Sequence, residues 1–249
     1  MIHTIKYTLV LLFFQSVVHA QASTLIKAQI ALPSSMPPYI IAHTQSGIIL
    51  DIIKSIYPVN RYALEFSFFP NHRLIKEFQN KNYLTAFAIP RKKRNEKVYY
   101  SNAIVEFKNI AISLKKNNLT INNISQLSNK SITAFQNAAK YLGDSYKKMT
   151  LSNPHYDEVT DQSSQLELLV KGRTDIIIME ERIFWYHFKQ LNFDHTIKEK
   201  IRFHPIFKSK SRYCAFYDKD QRDSFNVNLS QLRQSNSYHS ILNKYLSTQ

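Results

Sequence analysis

A chain of 249 residues, 44% hydrophobic and 20% charged, can bury a sizeable core as one large domain or two small ones, and is neither disordered nor wholly membrane-embedded. Its 33 Lys and Arg against 18 Asp and Glu give a net charge of +15, which concentrates anions near the surface. Only three glycines occur, Gly47, Gly143 and Gly172, too far apart to build a phosphate cradle, a dinucleotide fingerprint or a GxSxG elbow.

The chain opens with Lys6, an apolar run from Tyr7 to Val18, and Val18-His19-Ala20. A basic start, a short apolar stretch and a small-residue end predict a secretory signal peptide over 1–20, removed to leave a protein exported to the periplasm. No cysteine follows the run to carry a lipid, and no later segment has the unbroken apolar length of a membrane helix.

Strands and helices then alternate. Leu25 to Leu32 reads as a strand stopped by Pro33, and Ile48 to Tyr57 as an apolar-rich helix closed by Pro58. Tyr62 to Phe69 alternates and is aromatic, the mark of a strand. Pro70 breaks it, and Asn71 is expected to cap a helix running to about Gln79. Leu84 to Ile89 and Asn109 to Leu114 read as short strands. Asn123 to Leu127 is a short helix, Ser131 to Phe135 a strand and Asn137 to Lys147 a helix. Ser163 to Val170 forms a helix that Gly172 ends in a left-handed turn. Thr174 to Met179 carries the Asp-Ile-Ile-Ile run of a strand buried on both faces, with a helix over Glu181 to Leu191 behind it. Ile201 to Phe207 and Tyr213 to Tyr217 are strands, and helices over Gln221 to Arg233 and Tyr238 to Tyr245 close the chain. Such alternation predicts α/β sheets with parallel strands.

Several residue types are set aside. Cys214, the single cysteine, lies in an aromatic strand-like run and reads as a buried structural thiol. The nine histidines show no paired metal-ligand spacing, and His187 reads as a helix-face residue, so neither metal nor cofactor is expected. The basic residues form only short clusters, Arg91 to Arg94 and Lys208 to Arg212. They read as a solvated basic face rather than a nucleic-acid site.

Five stretches, taken in order, resemble the extracellular solute-binding proteins of family 3, most of which serve amino-acid uptake. They are Met36-Pro-Pro-Tyr39, Gly47-Ile-Ile-Leu-Asp51, Arg94-Asn-Glu-Lys-Val-Tyr-Tyr-Ser101, Gly172-Arg-Thr-Asp175-Ile-Ile-Ile-Met-Glu180, and the tail from Phe225 through Leu229, Leu232, Tyr238 and Ile241 to Tyr245. The resemblance implies a two-lobed α/β fold of the type II periplasmic-binding-protein kind. Each lobe would be a mixed, mostly parallel sheet flanked by helices, with lobe one at 24–106 plus 205–249 and lobe two at 107–204. A monomer would hold a small solute, carboxylate-bearing by this likeness, in the interlobe cleft and deliver it to an inner-membrane transporter or a sensor.

By position the resemblance gives the carboxylate to Arg94, whose planar fork suits two oxygens, and an ammonium to Glu180, five residues beyond Asp175. It makes Tyr39 a cleft aromatic. Arg73, with His72 beside it, is placed to face the cleft from a helix start. Phe135 and Gln136 lead into a helix N-terminus whose amides would receive an anionic group. Three departures stand out: no acid precedes the Pro-Tyr segment, Ile89 or Pro90 replaces a small hydroxyl residue, and Phe135 replaces a basic one. A divergent ligand, or a sensing or scaffolding module with a degenerate site, follows from them. The binding reading is not enzymatic. Against it stand a dehydratase-like enzyme using Glu180 as general acid and a basic module for DNA or anionic lipid.

Overall fold

The computed structural model describes residues 24–89, 91 and 97–245. The leader expected over 1–20, and Arg94, lie outside the described residues. The fold is α/β and two-lobed, each lobe built on a five-stranded mixed sheet.

In chain order the first lobe takes β1 (Ile26–Pro33), α1 (Ile48–Ile56), β2 (Tyr62–Phe69), α2 (Asn71–Gln79), β3 (Thr85–Phe87) and β4 (Tyr99–Tyr100). Then β5 (Val105–Phe107) leads away to β6 (Asn109–Leu114), β7 (Ile132–Phe135), α3 (Ala138–Tyr141), α4 (Asp144–Ser152) and β8 (Tyr156–Val159). The second lobe continues with α5 (Gln162–Val170), β9 (Ile176–Glu180), α6 (Glu181–Gln190), α7 (His195–Glu199) and β10 (Ile201–His204). Next, β11 (Lys210–Arg212) returns the chain to β12 (Cys214–Phe216), α8 (Lys219–Gln234) and α9 (Asn236–Lys244).

The first sheet has the order β2-β1-β3-β12-β4, with β1 parallel to β2 and β3, and β12 antiparallel to both its neighbours. The second has the order β10-β6-β9-β7-β8, with β7 parallel to β8 and β9, and β6 antiparallel to β9 and β10. The Ile-Ile-Ile-Met-Glu run of β9 is buried at every position, as expected of a strand covered on both faces. In α1, Ile48, Ile49, Leu50, Ile52, Ile53 and Ile56 are all buried, and this face joins Phe225, Leu229 and Leu232 of α8 in one core.

Between the sheets, β5 and β11 pair antiparallel, Phe107 against Lys210, Glu106 against Ser211 and Val105 against Arg212. This two-stranded ladder is where the chain crosses between lobes. Val105 and Phe107 are buried within a core cluster that also holds Ile30 and Phe87 of the first sheet and Ile112 and Ile177 of the second. Apolar packing is therefore continuous through the crossing.

The structure revises several sequence expectations. Pro70, not Asn71, holds the capping position of α2, without a side-chain cap bond. The helix expected over 137–147 is divided at Gly143, whose φ of 103° is the left-handed region. The strand expected over 84–89 shrinks to β3, because Ala88 has a φ of 63° that no strand accommodates. Cys214 is buried, its thiol pushed up to about 12 by burial.

Gly47 precedes α1 at a φ of 118°, and a Cβ there would stand 2.6 Å from the Tyr39 carbonyl oxygen. Its N–H donates to the Tyr245 hydroxyl at 2.8 Å, which in turn donates to Asp51 at 2.7 Å, tying α9 to α1. Gly47→Ala combines backbone strain with a backbone clash. It is expected to lower the unfolding free energy by about 2–4 kcal/mol in urea titrations.

Candidate functional site

The loop after β1 turns back on itself: Met36 N–H donates to the Ile40 carbonyl at 2.7 Å and Tyr39 N–H to the Met36 carbonyl at 2.9 Å. The Pro38 and Tyr39 carbonyls then accept the first free amides of α1, from Ile48 at 2.9 Å and Ile49 at 3.0 Å. This turn drives Tyr39 inward until it is 0% exposed. Its ring packs on Phe107 of β5, centroids 4.4 Å apart.

From the other lobe, β9 delivers Glu180 to the same place, 2% exposed. Glu180 is the N-cap of α6, and its carboxylate accepts from Arg182 N–H at 2.8 Å and Ile183 N–H at 3.1 Å. The other oxygen accepts from Lys108 N–H at 3.1 Å, just beyond β5. Tyr39's phenol also lies within hydrogen-bonding reach of it. Burial pushes the Glu180 carboxyl above the usual range, opposed first by the Lys108 and Ile183 amides. Burial, and then the nearby Glu180 charge, hold the Tyr39 phenol well above its ordinary value.

Two cations, Arg182 and Arg212, stand against this cluster, and a third, Lys210, lies exposed on the ladder beside Arg212. The Arg182 guanidinium donates to the Tyr39 hydroxyl at 3.4 Å and the Glu106 carbonyl at 3.2 Å. Burial works against its charge, but the Tyr39 phenol, followed by Glu180, outweighs that and raises its pKa. Lys210 of β11 donates to the Tyr141 carbonyl on α3, joining the ladder to the second lobe. Arg212 lays its guanidinium over the Phe107 ring, 4.5 Å from the centroid. Burial lowers its pKa, although Tyr39, Tyr141 and Glu180 pull the other way.

Of the residues singled out in the sequence, the structure brings together Tyr39 and Glu180. Arg73 stays on the surface, 61% exposed, paired with Glu77 at 3.1 Å one turn along its own helix. Phe135 is half-buried in the second lobe's own core and Gln136 is exposed. The amides expected to receive an anion there are already engaged. Asn137 N–H donates to Glu158 at 2.6 Å and Ala139 N–H to its other oxygen at 2.9 Å. Glu180, the expected ammonium acceptor, offers about four lone-pair positions, and backbone amides occupy three of them.

Arg182, Arg212 and Glu158 were not singled out as site residues. Arg212 was visible only as the end of a short basic cluster, with nothing in its spacing to mark it as inward-facing. Among the described residues, no group of three or more His, Cys, Asp or Glu side chains could hold a metal ion, and no helix is long and apolar enough to cross a membrane. Two open hollows of about 470 and 490 Å³ are lined by first-lobe residues alone, Tyr83 and Gln221 among those of one and Asp51 and Lys244 among those of the other.

No family model and no curated protein matches the sequence. Solved structures do. The ligand-binding core of GluR0 in complex with L-glutamate aligns with a TM-score of 0.68 at 11% identity, over 90% of this chain and 100% of that one. The chain has the same two-lobed fold. A Streptococcus pneumoniae ABC uptake transporter substrate-binding protein with bound histidine aligns at 0.65 and 13% identity, over 90% and 95% of the two chains. An ancestral arginine-binding protein bound to arginine aligns at 0.63 and 15%, over 89% and 98%. At such identities the likeness is one of fold, and the family resemblance of the five sequence stretches is borne out at that level.

Within this fold Glu180 acts as a structural clasp. Glu180→Ala leaves three amides without an acceptor at a buried seam. The expected cost is about 2–4 kcal/mol of stability in urea unfolding, without any solute present. An unchanged midpoint would make Glu180 a spare acceptor after all.

Proposed function

We propose that the protein captures a small charged solute between its lobes, for uptake or sensing. The observation that carries this is the seam itself, where Arg182 and buried Glu180 from the second lobe, Tyr39 from the first, and Phe107 and Arg212 of the ladder meet. The solved structures of the same fold named above hold glutamate, histidine and arginine, which supports the class of ligand. On this reading, lobe one at 24–106 plus 205–249 and lobe two at 107–204 turn about the β5–β11 ladder, opening to admit the solute and closing on it. The solute enters by replacing the Tyr39–Arg182 contact.

The apolar leader fits export to the periplasm, and the loaded, monomeric form would be read by an inner-membrane transporter or sensor. Arg94 is assigned the solute's carboxylate by the resemblance alone. One observation favours an enzyme, the raised pKa of Glu180, which a general acid needs. Its oxygens, however, face backbone amides rather than a substrate, so binding is the better reading.

A melting-temperature screen of the purified protein against amino acids, organic acids and polyamines tests this. A solute at one hundred times its Kd is expected to add about 2.7 kcal/mol of stability, a shift of roughly 5–10 °C for a chain of this size. Arg94→Ala is expected to weaken a carboxylate solute at least tenfold by calorimetry. No shift with any class would contradict a binding role.

A further inference from the structure

Three cations lie at or beside the seam, and their partners differ. Arg182 donates to Tyr39 and to the Glu106 carbonyl, and Lys210 donates to the Tyr141 carbonyl. Arg212 is half-buried, yet among the described residues its guanidinium makes no hydrogen bond and no ion pair; its one side-chain contact of note is the Phe107 ring, 4.5 Å away. A ring face attracts a cation but accepts none of the five N–H donors. An unbonded planar fork is shaped for two oxygens.

The position of this fork is fixed. Arg212 is held in the ladder opposite Val105, and its backbone carbonyl accepts the Ile104 amide at 2.7 Å. Phe107, on which it lies, carries Tyr39 as well. The groups that act on its charge come from both lobes, Tyr39 from the first and Tyr141 and Glu180 from the second. The fork therefore sits among groups of both lobes, at the crossing about which they would turn. Meanwhile Glu180, the one buried carboxylate among the described residues, accepts from the Lys108, Arg182 and Ile183 amides. Among the described residues the seam offers a guanidinium without a hydrogen-bonded partner, while its buried carboxylate is already held by three amides.

The structure assigns to Arg212 the role of anion-binding residue, and to the seam a preference for carboxylate solutes that lack an amino group. This rests on the solute-binding reading and narrows it to organic acids rather than amino acids. The preference follows from desolvation: an ammonium brought against Arg212 without an acceptor would lose its hydration and meet a like charge.

Matched pairs differing only in the ammonium test it: acetate and glycine, succinate and aspartate, glutarate and glutamate. Calorimetry with the purified protein is expected to show at least one acid binding tenfold or more tighter than its amino counterpart. Arg212→Met, which keeps the apolar stem on Phe107, is expected to weaken that acid at least tenfold. Arg212→Lys should fall between, because a point charge restores attraction without the fork. Melting curves identify any variant that has lost its fold, and the conservative lysine form then carries the comparison. Tighter binding of the amino acid in every pair that binds, or equal affinity of wild type and both folded variants, overturns the assignment and leaves the solute-binding reading standing. If the melting screen and all six probes show no binding at all, that reading falls and the assignment with it.

Discussion

A carboxylate taken out of water must be met by donors, and around Glu180 that requirement organises the middle of the molecule. Its oxygens collect the amide of Lys108, where the chain leaves the ladder, and the amides of Arg182 and Ile183, where α6 begins. One side chain thus fixes the exit of the crossing strand and the start of a second-lobe helix. It also places Arg182, whose guanidinium reaches the first lobe at Tyr39. The charge is matched by several aligned dipoles rather than by one bonded cation, the usual solution for a buried anion at a helix start. Lys108 adds a second tie, its ammonium 2.9 Å from Glu181.

This arrangement separates the structural from the functional polar groups of the seam. Glu180 at the seam and the half-buried Glu158 on β8 each sit on backbone amides within the protein. What is left over is cationic. The strongly basic composition, which from the sequence suggested only a solvated surface, therefore has at least one representative that is half-buried, Arg212. One departure from the amino-acid pattern, the lack of an acid before the Pro-Tyr segment, points the same way, since it removes a group that an ammonium would use.

Much of the fold was legible because burial imposes a period on the chain. The aromatic alternation of Tyr62–Phe69 and the apolar run of Asn109–Leu114 give their strands to the residue. The ladder was not legible. Val-Glu-Phe and Lys-Ser-Arg are three-residue strands with charged positions, too short for any period to show, and they exist because tertiary pairing holds them. Gly143 was read as helical although its left-handed φ divides the helix. At the site, the resemblance brought Glu180 and Tyr39 forward as cleft contacts and the structure sets both beside the crossing, whereas the amides that Glu180 holds leave no mark in a sequence. Arg212 needed the ladder first. Arg94 was legible only through resemblance.

The most direct measurement is a crystal structure of the protein grown with the solute that the melting screen identifies. Density for the solute between the lobes, touching the Arg212 guanidinium and the residues around Phe107, is the expected result. Solute bound on an outer face of either lobe, with Tyr39, Arg182 and Glu180 still joined and the seam undisturbed, would contradict it.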